Sequence, residues 1–310
     1  MIVLRKKVIA GIVLGLVFIF LVITVVSKPG KNNAMSTRGN GEVGIIYVEG
    51  VIANGRTGST ALSDQTVSED VAAALREAVR NPDIKAVVIR LNSPGGTAAA
   101  AQEIGAEVDR LRKSGKKVVA SMGDTAASGA YWIAAGTDSI VANPGTMTGS
   151  IGVIMERYDL QGLYGNIGID TETFKSGPYK DMGSASRSTT PEEQAIFQSM
   201  IDDIYSQFVD YVAQGRQMDT AEVRALADGR VYTGRQAKEL GLVDQLGDFH
   251  DAVLLAGSLA GIPGEPAVVE LGPNNLFRNF LGITGGSTLW ESAWPFLPFL
   301  GETERSYRLQ

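Results

Sequence analysis

The sequence predicts an α/β domain held behind an N-terminal membrane-spanning helix. Three observations carry that expectation: β-branched runs alternate with helix-like apolar spacing from about residue 43 onward, glycine- and serine-containing segments fall just after the predicted strands, and Val8 to Val26 is an apolar run broken only by Thr24. Alternating strands and helices call for right-handed crossovers and a mostly parallel sheet. In such sheets ligands sit beyond the carboxyl ends of the strands.

Taken in order, residues 1–7 read as a short cytoplasmic N-terminus ending in Arg5, Lys6 and Lys7. The run 8–26 makes a helix about 28 Å long, close to the hydrocarbon thickness of a bilayer. A cleavable signal peptide would have a shorter apolar region and a small-x-small cleavage site, which is not evident here. Lys28 and Lys31 follow the run, so the charge bias slightly favours a cytoplasmic N-terminus, with the rest of the chain on the extracytoplasmic side of the cell membrane in a single-pass arrangement. The polar, Gly-containing stretch 27–41 reads as a linker and 42–262 as the domain.

Val43–Val51 reads as the first strand and Val67–Val79 as a helix with apolar positions at Val71, Leu75, Ala78 and Val79. Lys85–Leu91 is a second strand, ending in Asn92-Ser-Pro-Gly-Gly96. An alanine-rich helix is expected over Ala98–Lys113 and a third strand over Val118–Met122, running into Asp124-Thr-Ala-Ala-Ser128-Gly-Ala-Tyr131-Trp132. Thr146–Met155 reads as a buried strand with a tight turn, and Thr171–Lys175 as a short strand. Thr190-Pro-Glu-Glu193 has the capping-box pattern with proline at the first helical position, opening a helix to about Gln214. Phe197, Ile201, Ile204, Phe208 and Val212 share one face of it, suited to the core or to a neighbouring subunit. Residues 263–310 form a tail in which Leu289–Leu300 is too short and proline-rich to span a bilayer, yet aromatic enough to seek a subunit or membrane-interface contact.

Composition narrows the chemistry. There is no cysteine and one histidine, His250, so a cysteine nucleophile is excluded and a Ser-His-Asp relay would rest on that late residue. The same scarcity argues against a zinc site, and no metal or other cofactor is expected. A net charge of −6 with scattered Lys and Arg makes no case for nucleic acid. A serine activated by a lysine needs neither Cys nor His. Ser128 sits at a strand-to-helix junction, where unpaired backbone N–H groups suit an oxyanion; taken alone, the motif suits a tightly packed helix start equally well. Gly129 beside it leaves room for substrate. Gly96 is the candidate oxyanion donor, a role worth about 3–4 kcal/mol to a transition state.

Lys180, in Lys175-Ser-Gly-Pro-Tyr-Lys180-Asp181, is the candidate base. An ordinary lysine with a pKa near 10.4 is neutral in only about one molecule in two thousand at pH 7, so a base needs burial to lower that value. Phe174, Pro178, Tyr179 and Met182 are compatible with burial, Asp181 pulls the other way, and Lys175 is the competing lysine. Ser150 can hydrogen-bond a neutral lysine amine.

The Ser-Pro-Gly-Gly turn, the Ala-Ala-Ser-Gly segment, Thr148-Gly-Ser150-Ile-Gly-Val153 and the Lys-Ser-Gly-x-x-Lys-Asp motif, in this order, resemble the bacterial signal peptide peptidase A (protease IV) family in its short form. So do Asp228-Gly-Arg-Val-Tyr-Thr-Gly-Arg-Gln-Ala237 and Leu240-Gly-Leu-Val-Asp244; the likeness spans about residues 43–250 and the N-terminal anchor. The resemblance implies a Clp protease/crotonase-like fold and a serine endopeptidase. It further implies Ser128 as nucleophile, Lys180 as base, Gly96 and Gly129 at the oxyanion hole and Ser150 orienting the lysine. Hydrophobic signal peptide remnants are the implied substrates and a ring-like homo-oligomer at the membrane the implied assembly. With both residues in one copy, each subunit is expected to carry its own dyad. A Ser/Lys protease acting on other membrane proteins, and an acyl-CoA enzyme of the crotonase fold, are the alternative expectations.

Overall fold

The computed structural model describes residues 41–55 and 65–272. In chain order its elements are β1 (Glu42–Glu49), β2 (Val51–Ala53), β3 (Gln65–Val67), α1 (Ser68–Arg80), β4 (Ile84–Ser93), α2 (Ala98–Lys113), β5 (Lys117–Ala127) and α3 (Gly129–Ala135). They continue with β6 (Ser139–Ala142), β7 (Met147–Gly149), α4 (Gln161–Asn166), α5 (Pro191–Arg216), α6 (Thr220–Leu226), β8 (Val231–Thr233), α7 (Gly234–Glu239), β9 (Gln245–Leu246), α8 (Phe249–Leu259) and β10 (Ala267–Glu270). The proposed membrane span 8–26, the linker up to residue 40 and the tail from 273 lie outside the described residues. Among the described residues no helix is long and apolar enough to cross a membrane.

The chain builds a mixed α/β domain around one central sheet. Its strand order is β10-β1-β4-β5-β6-β9, all parallel, and β7 joins the far end of β5 while pairing antiparallel with β8. The central strands are buried on both faces, which is why they read as continuous apolar runs. On β4, Val87, Ile89 and Leu91 face the core shared with α1, α2 and α3. Ala86 and Val88 face the opposite layer, where Ala252, Val253 and Ala256 of α8 cover them.

The differences from the sequence reading have local causes. The first strand stops at Glu49 because Gly50 turns with φ 67°. β5 runs five residues past Met122, because Thr125–Ala127 find a partner in Met147–Gly149, distant in sequence. No strand forms over Thr171–Lys175: that stretch is exposed and has no neighbouring ladder to pair with, which a strand requires. β10 pairs with β1, so the sheet continues past residue 262, where the sequence reading ended the domain.

The predicted helix starts hold. Thr190 and Glu193 form the reciprocal capping box at the head of α5, with Pro191 at its first position. Phe208 and Val212 are buried in the core, whereas Phe197, Ile201 and Ile204 are half-buried. One helix face thus serves two environments. Between Gly152 and Thr190 the chain leaves the sheet as an arm whose single helix, α4, buries no residue.

Candidate active site

β5 delivers Ser128 to the edge of a pocket of about 800 Å³. Ser128 has φ 52° and ψ −120°, a backbone conformation that a residue with a side chain adopts only when its surroundings enforce it. Two hydrogen bonds do so: its N–H donates to the Gly149 carbonyl (2.9 Å), and its carbonyl accepts from the Trp132 N–H (2.9 Å). Behind the turn, α3 is wholly buried. Tyr131 donates from its hydroxyl to the Leu242 carbonyl (2.9 Å), and Trp132 stacks on Tyr211 at 5.2 Å between ring centroids. Burial pushes the Tyr131 hydroxyl well above its usual range, so it remains a neutral donor. A rigid, apolar helix therefore fixes the serine.

The Gly95–Gly96 turn lies directly against Ser128. A Cβ on Gly95, which has φ 103°, would come within 2.7 Å of the Gly129 nitrogen and 2.8 Å of the Ser128 Cβ. A Cβ on Gly96 would sit 1.8 Å from the Ile52 carbonyl oxygen. Both positions therefore demand glycine. Ile52 grips the turn from both sides, donating its N–H to the Gly95 carbonyl (2.9 Å) and accepting from the Thr97 N–H (3.0 Å). The buried Ser93 hydroxyl accepts from the Gly95 N–H (3.1 Å). Among the described residues the N–H groups of Gly96 and Gly129 have no acceptor. A Cβ on Gly129 would lie 3.3 Å from the Gly96 nitrogen, so these two free donors belong to abutting backbones.

Ser150 lines the same pocket, with φ 50° and its N–H donating to the Arg230 carbonyl (2.8 Å). Four of the five site residues expected from the sequence (Gly96, Ser128, Gly129 and Ser150) thus come together. Lys180 does not join them. It lies on the arm, exposed rather than buried, is not among the pocket-lining residues, and no hydrogen bond links it to Ser128 or Ser150. The expectation that one subunit holds a buried, assembled dyad is not met within the single chain, because the arm departs from the sheet beyond Ser150.

The competing lysine is committed elsewhere. Lys175 Nζ pairs with Asp181 Oδ1 (2.8 Å) and donates to the Pro178 carbonyl (3.2 Å), whereas Lys180 Nζ has no partner among the described residues. Asp181, expected to pull on its neighbour Lys180, is instead held by Arg187 and Lys175, which keep its carboxyl well below the usual carboxylate range. Arg187 also binds Glu193 and lowers its pKa to about 2.

The rest of the pocket was only partly readable in advance. Its walls include Val51, Trp132, Ile154, Met155 and, from α5, Ile201, Ile204, Tyr205 and Phe208. The helical spacing on α5 was the signal for that wall. Asp228 and Gly229 close the pocket on another side; their signal was the glycine-containing run from Asp228 to Ala237. The surface offered to a ligand is chiefly apolar, with Thr97, Ser128, Ser150, Tyr205 and Asp228 as its polar side chains.

Residues 110–262 match the family model described as peptidase family S49. The chain is 43% identical over 247 residues to "Putative protease slr0021" of Synechocystis sp., covering 78% of this chain and 83% of that protein. It is 34% identical over 272 residues to "Putative signal peptide peptidase SppA" of Enterococcus faecium, covering 80% and 79%. Against "Protease 4" of Salmonella typhi it is 39% identical over 240 residues, 74% of this chain and 38% of that protein. The strained serine in its pocket and these relatives converge: the chain belongs to peptidase family S49 and is a serine-type protease.

Proposed function

We propose that the chain is a membrane-anchored endopeptidase of the Clp/crotonase-like fold that degrades hydrophobic signal peptide remnants by a Ser128/Lys180 dyad. The observation that carries this reading is that Ser128, Gly96 and Gly129 line one apolar pocket, with neither glycine N–H hydrogen-bonded among the described residues. Ser128 Oγ attacks the scissile carbonyl carbon while Lys180 Nζ takes its proton. The carbonyl oxygen gains charge facing the Gly96 and Gly129 N–H groups, whose stabilisation is worth about 3–4 kcal/mol per donor. The C–N bond then breaks, and the lysine ammonium returns a proton to the departing amine. Water hydrolyses the remaining ester by the same path, giving its proton to Lys180. Ser150, which lines the pocket, orients the lysine amine once it enters.

The exposed arm supports assembly. Ile154, Tyr158 and Phe174 are 85%, 74% and 87% exposed, a concentration of apolar surface that calls for a covering partner. In this reading copies associate into a ring-like homo-oligomer on the extracytoplasmic face of the cell membrane. The arm of one copy lies beside the Ser128 pocket of the next and supplies Lys180. The dyad is then shared between copies instead of held within each.

The test uses Ser128→Ala and Lys180→Ala in the full chain. Each should lose nearly all cleavage of an apolar signal-peptide sequence while keeping fold and assembly. Lys175→Ala should keep substantial activity. Mixed and reassembled, the two inactive variants should regain part of it, since some pockets would receive an intact serine and an intact lysine. Normal turnover by Lys180→Ala would refute the dyad, and no recovery on mixing would refute its sharing. Equal cleavage of a charged peptide of the same length would refute the substrate class.

A further inference from the structure

Arg187 gathers more polar contacts than its place on an exposed arm requires. Its guanidinium makes six hydrogen bonds: to Asp181 Oδ2 (2.9 Å), Oδ1 (2.8 Å) and carbonyl (3.3 Å), to Glu193 Oε2 (2.9 Å) and Oε1 (2.5 Å), and to the Ser188 carbonyl (3.1 Å). Glu193 is only 2% exposed and also accepts from the Thr190 N–H, so this end of the network is anchored at the head of α5. Asp181 is the residue directly after Lys180. Its Oδ1 is shared by Lys175 and Arg187 and its Oδ2 is taken by Arg187, so both oxygens are engaged.

We propose that Arg187 is a positioning residue for Lys180: by engaging both Asp181 and Glu193, it denies Lys180 the neighbouring carboxylate and ties the Lys180 turn to the head of α5. The inference rests on the reading of Lys180 as the base. The local charges explain why the arginine matters. Lys175 and Asp181 come from the Lys180 turn, Glu193 from α5, and Arg157 and Asp159 from the run before α4; Arg157 donates to the Ser184 and Arg187 carbonyls, and Asp159 accepts from the Ser188 hydroxyl. With Arg187 in place, Asp181 and Glu193 are balanced by Arg187 and Lys175. Without it, one negative charge is left uncompensated in the turn that carries Lys180, and a nearby opposite charge favours the protonated, unreactive form of an ammonium. Lysine cannot replace arginine fully, since two carboxylates are gripped by one planar fork.

The experiment is the pH profile of kcat/KM for the full-length protein on a neutral apolar peptide, comparing Arg187→Gln, Arg187→Lys, Asp181→Asn and the Asp181→Asn/Arg187→Gln double variant. Arg187→Gln should move the acidic limb up by about one pH unit, costing roughly tenfold at neutral pH and recovering at alkaline pH. Asp181→Asn should move the limb the opposite way, the double variant should lie near the parent, and Arg187→Lys should fall between the parent and Arg187→Gln. A uniform loss with an unmoved limb, or shifts of one sign in both single variants, would overturn the proposal. If Arg187→Gln does not fold, the downward shift in Asp181→Asn carries the test, and its absence overturns it. Lys180→Ala separates the two levels: normal activity there refutes the base itself, whereas lost activity with unmoved limbs in the Arg187 and Asp181 variants refutes only the positioning role.

Discussion

Ser128→Gly should inactivate the enzyme and stabilise it. Ser128 holds φ 52° and ψ −120°, a region natural to glycine, and a side chain there costs about 1–3 kcal/mol. Glycine removes that cost but brings back unfolded-chain freedom worth about 0.5–1 kcal/mol. The balance is a gain of about 1 kcal/mol, which for a domain of this size raises Tm by about 2–4 °C. Ser128→Ala is the control, because alanine loses the hydroxyl and keeps the strain. The assay is thermal unfolding followed by circular dichroism, on both variants at one protein concentration because assembly shifts Tm. Ser128→Gly melting at or below Ser128→Ala would refute the claim that this turn stores backbone strain for the nucleophile. The hydroxyl makes no protein hydrogen bond among the described residues, so Ser128→Ala itself should melt close to the parent.

Other outcomes follow from neighbouring geometry. Gly96→Ala places a methyl group 1.8 Å from the Ile52 carbonyl oxygen, so the turn must shift; cleavage should fall about 10²–10³-fold in kcat with a smaller change in KM, and a kcat near the parent value would remove Gly96 from the oxyanion hole. Glu193 is depressed to about 2 in the folded chain from an ordinary value near 4.5. Its contribution to stability is therefore present above about pH 4.5 and is lost as pH falls toward 2, so Glu193→Gln should flatten the stability profile across that window in denaturant titrations. Removing residues 287–310 should weaken assembly or alter access to the pocket, read by sedimentation and peptidase assays; loss of lipid binding alone would assign the tail to the membrane interface.

The central domain was legible in the sequence because its elements are locally encoded. Helix α2 appears over the alanine-rich residues expected to form it, the capping box at Thr190 and Glu193 starts α5, and β4 declares itself as an apolar run buried on both faces. The serine, its glycine turn and Ser150 were also readable, since each motif follows a strand and the sheet topology carries strand ends to a common edge. Less legible was anything that depends on a partner distant in the chain. β5 lengthens because β7 arrives beside it, and β10 joins the sheet because β1 offers a free edge.

The lysines show the division most clearly. By itself the sequence determined which residue types are present for catalysis: with no cysteine and one distant histidine, a serine and a lysine remain. Charge and spacing alone separate Lys175 and Lys180 poorly, and it was the motif resemblance that put Lys180 ahead. Only the tertiary structure decided that Lys175 pairs with Asp181 and that Lys180, on an arm outside the pocket, has no side-chain partner among the described residues. The physical reason is that strand and helix formation follow local spacing and capping, whereas the state of an amine depends on which carboxylates folding brings within hydrogen-bond reach. Asp181 stands beside Lys180 in sequence, yet its oxygens are taken by Lys175 and Arg187, each six residues away.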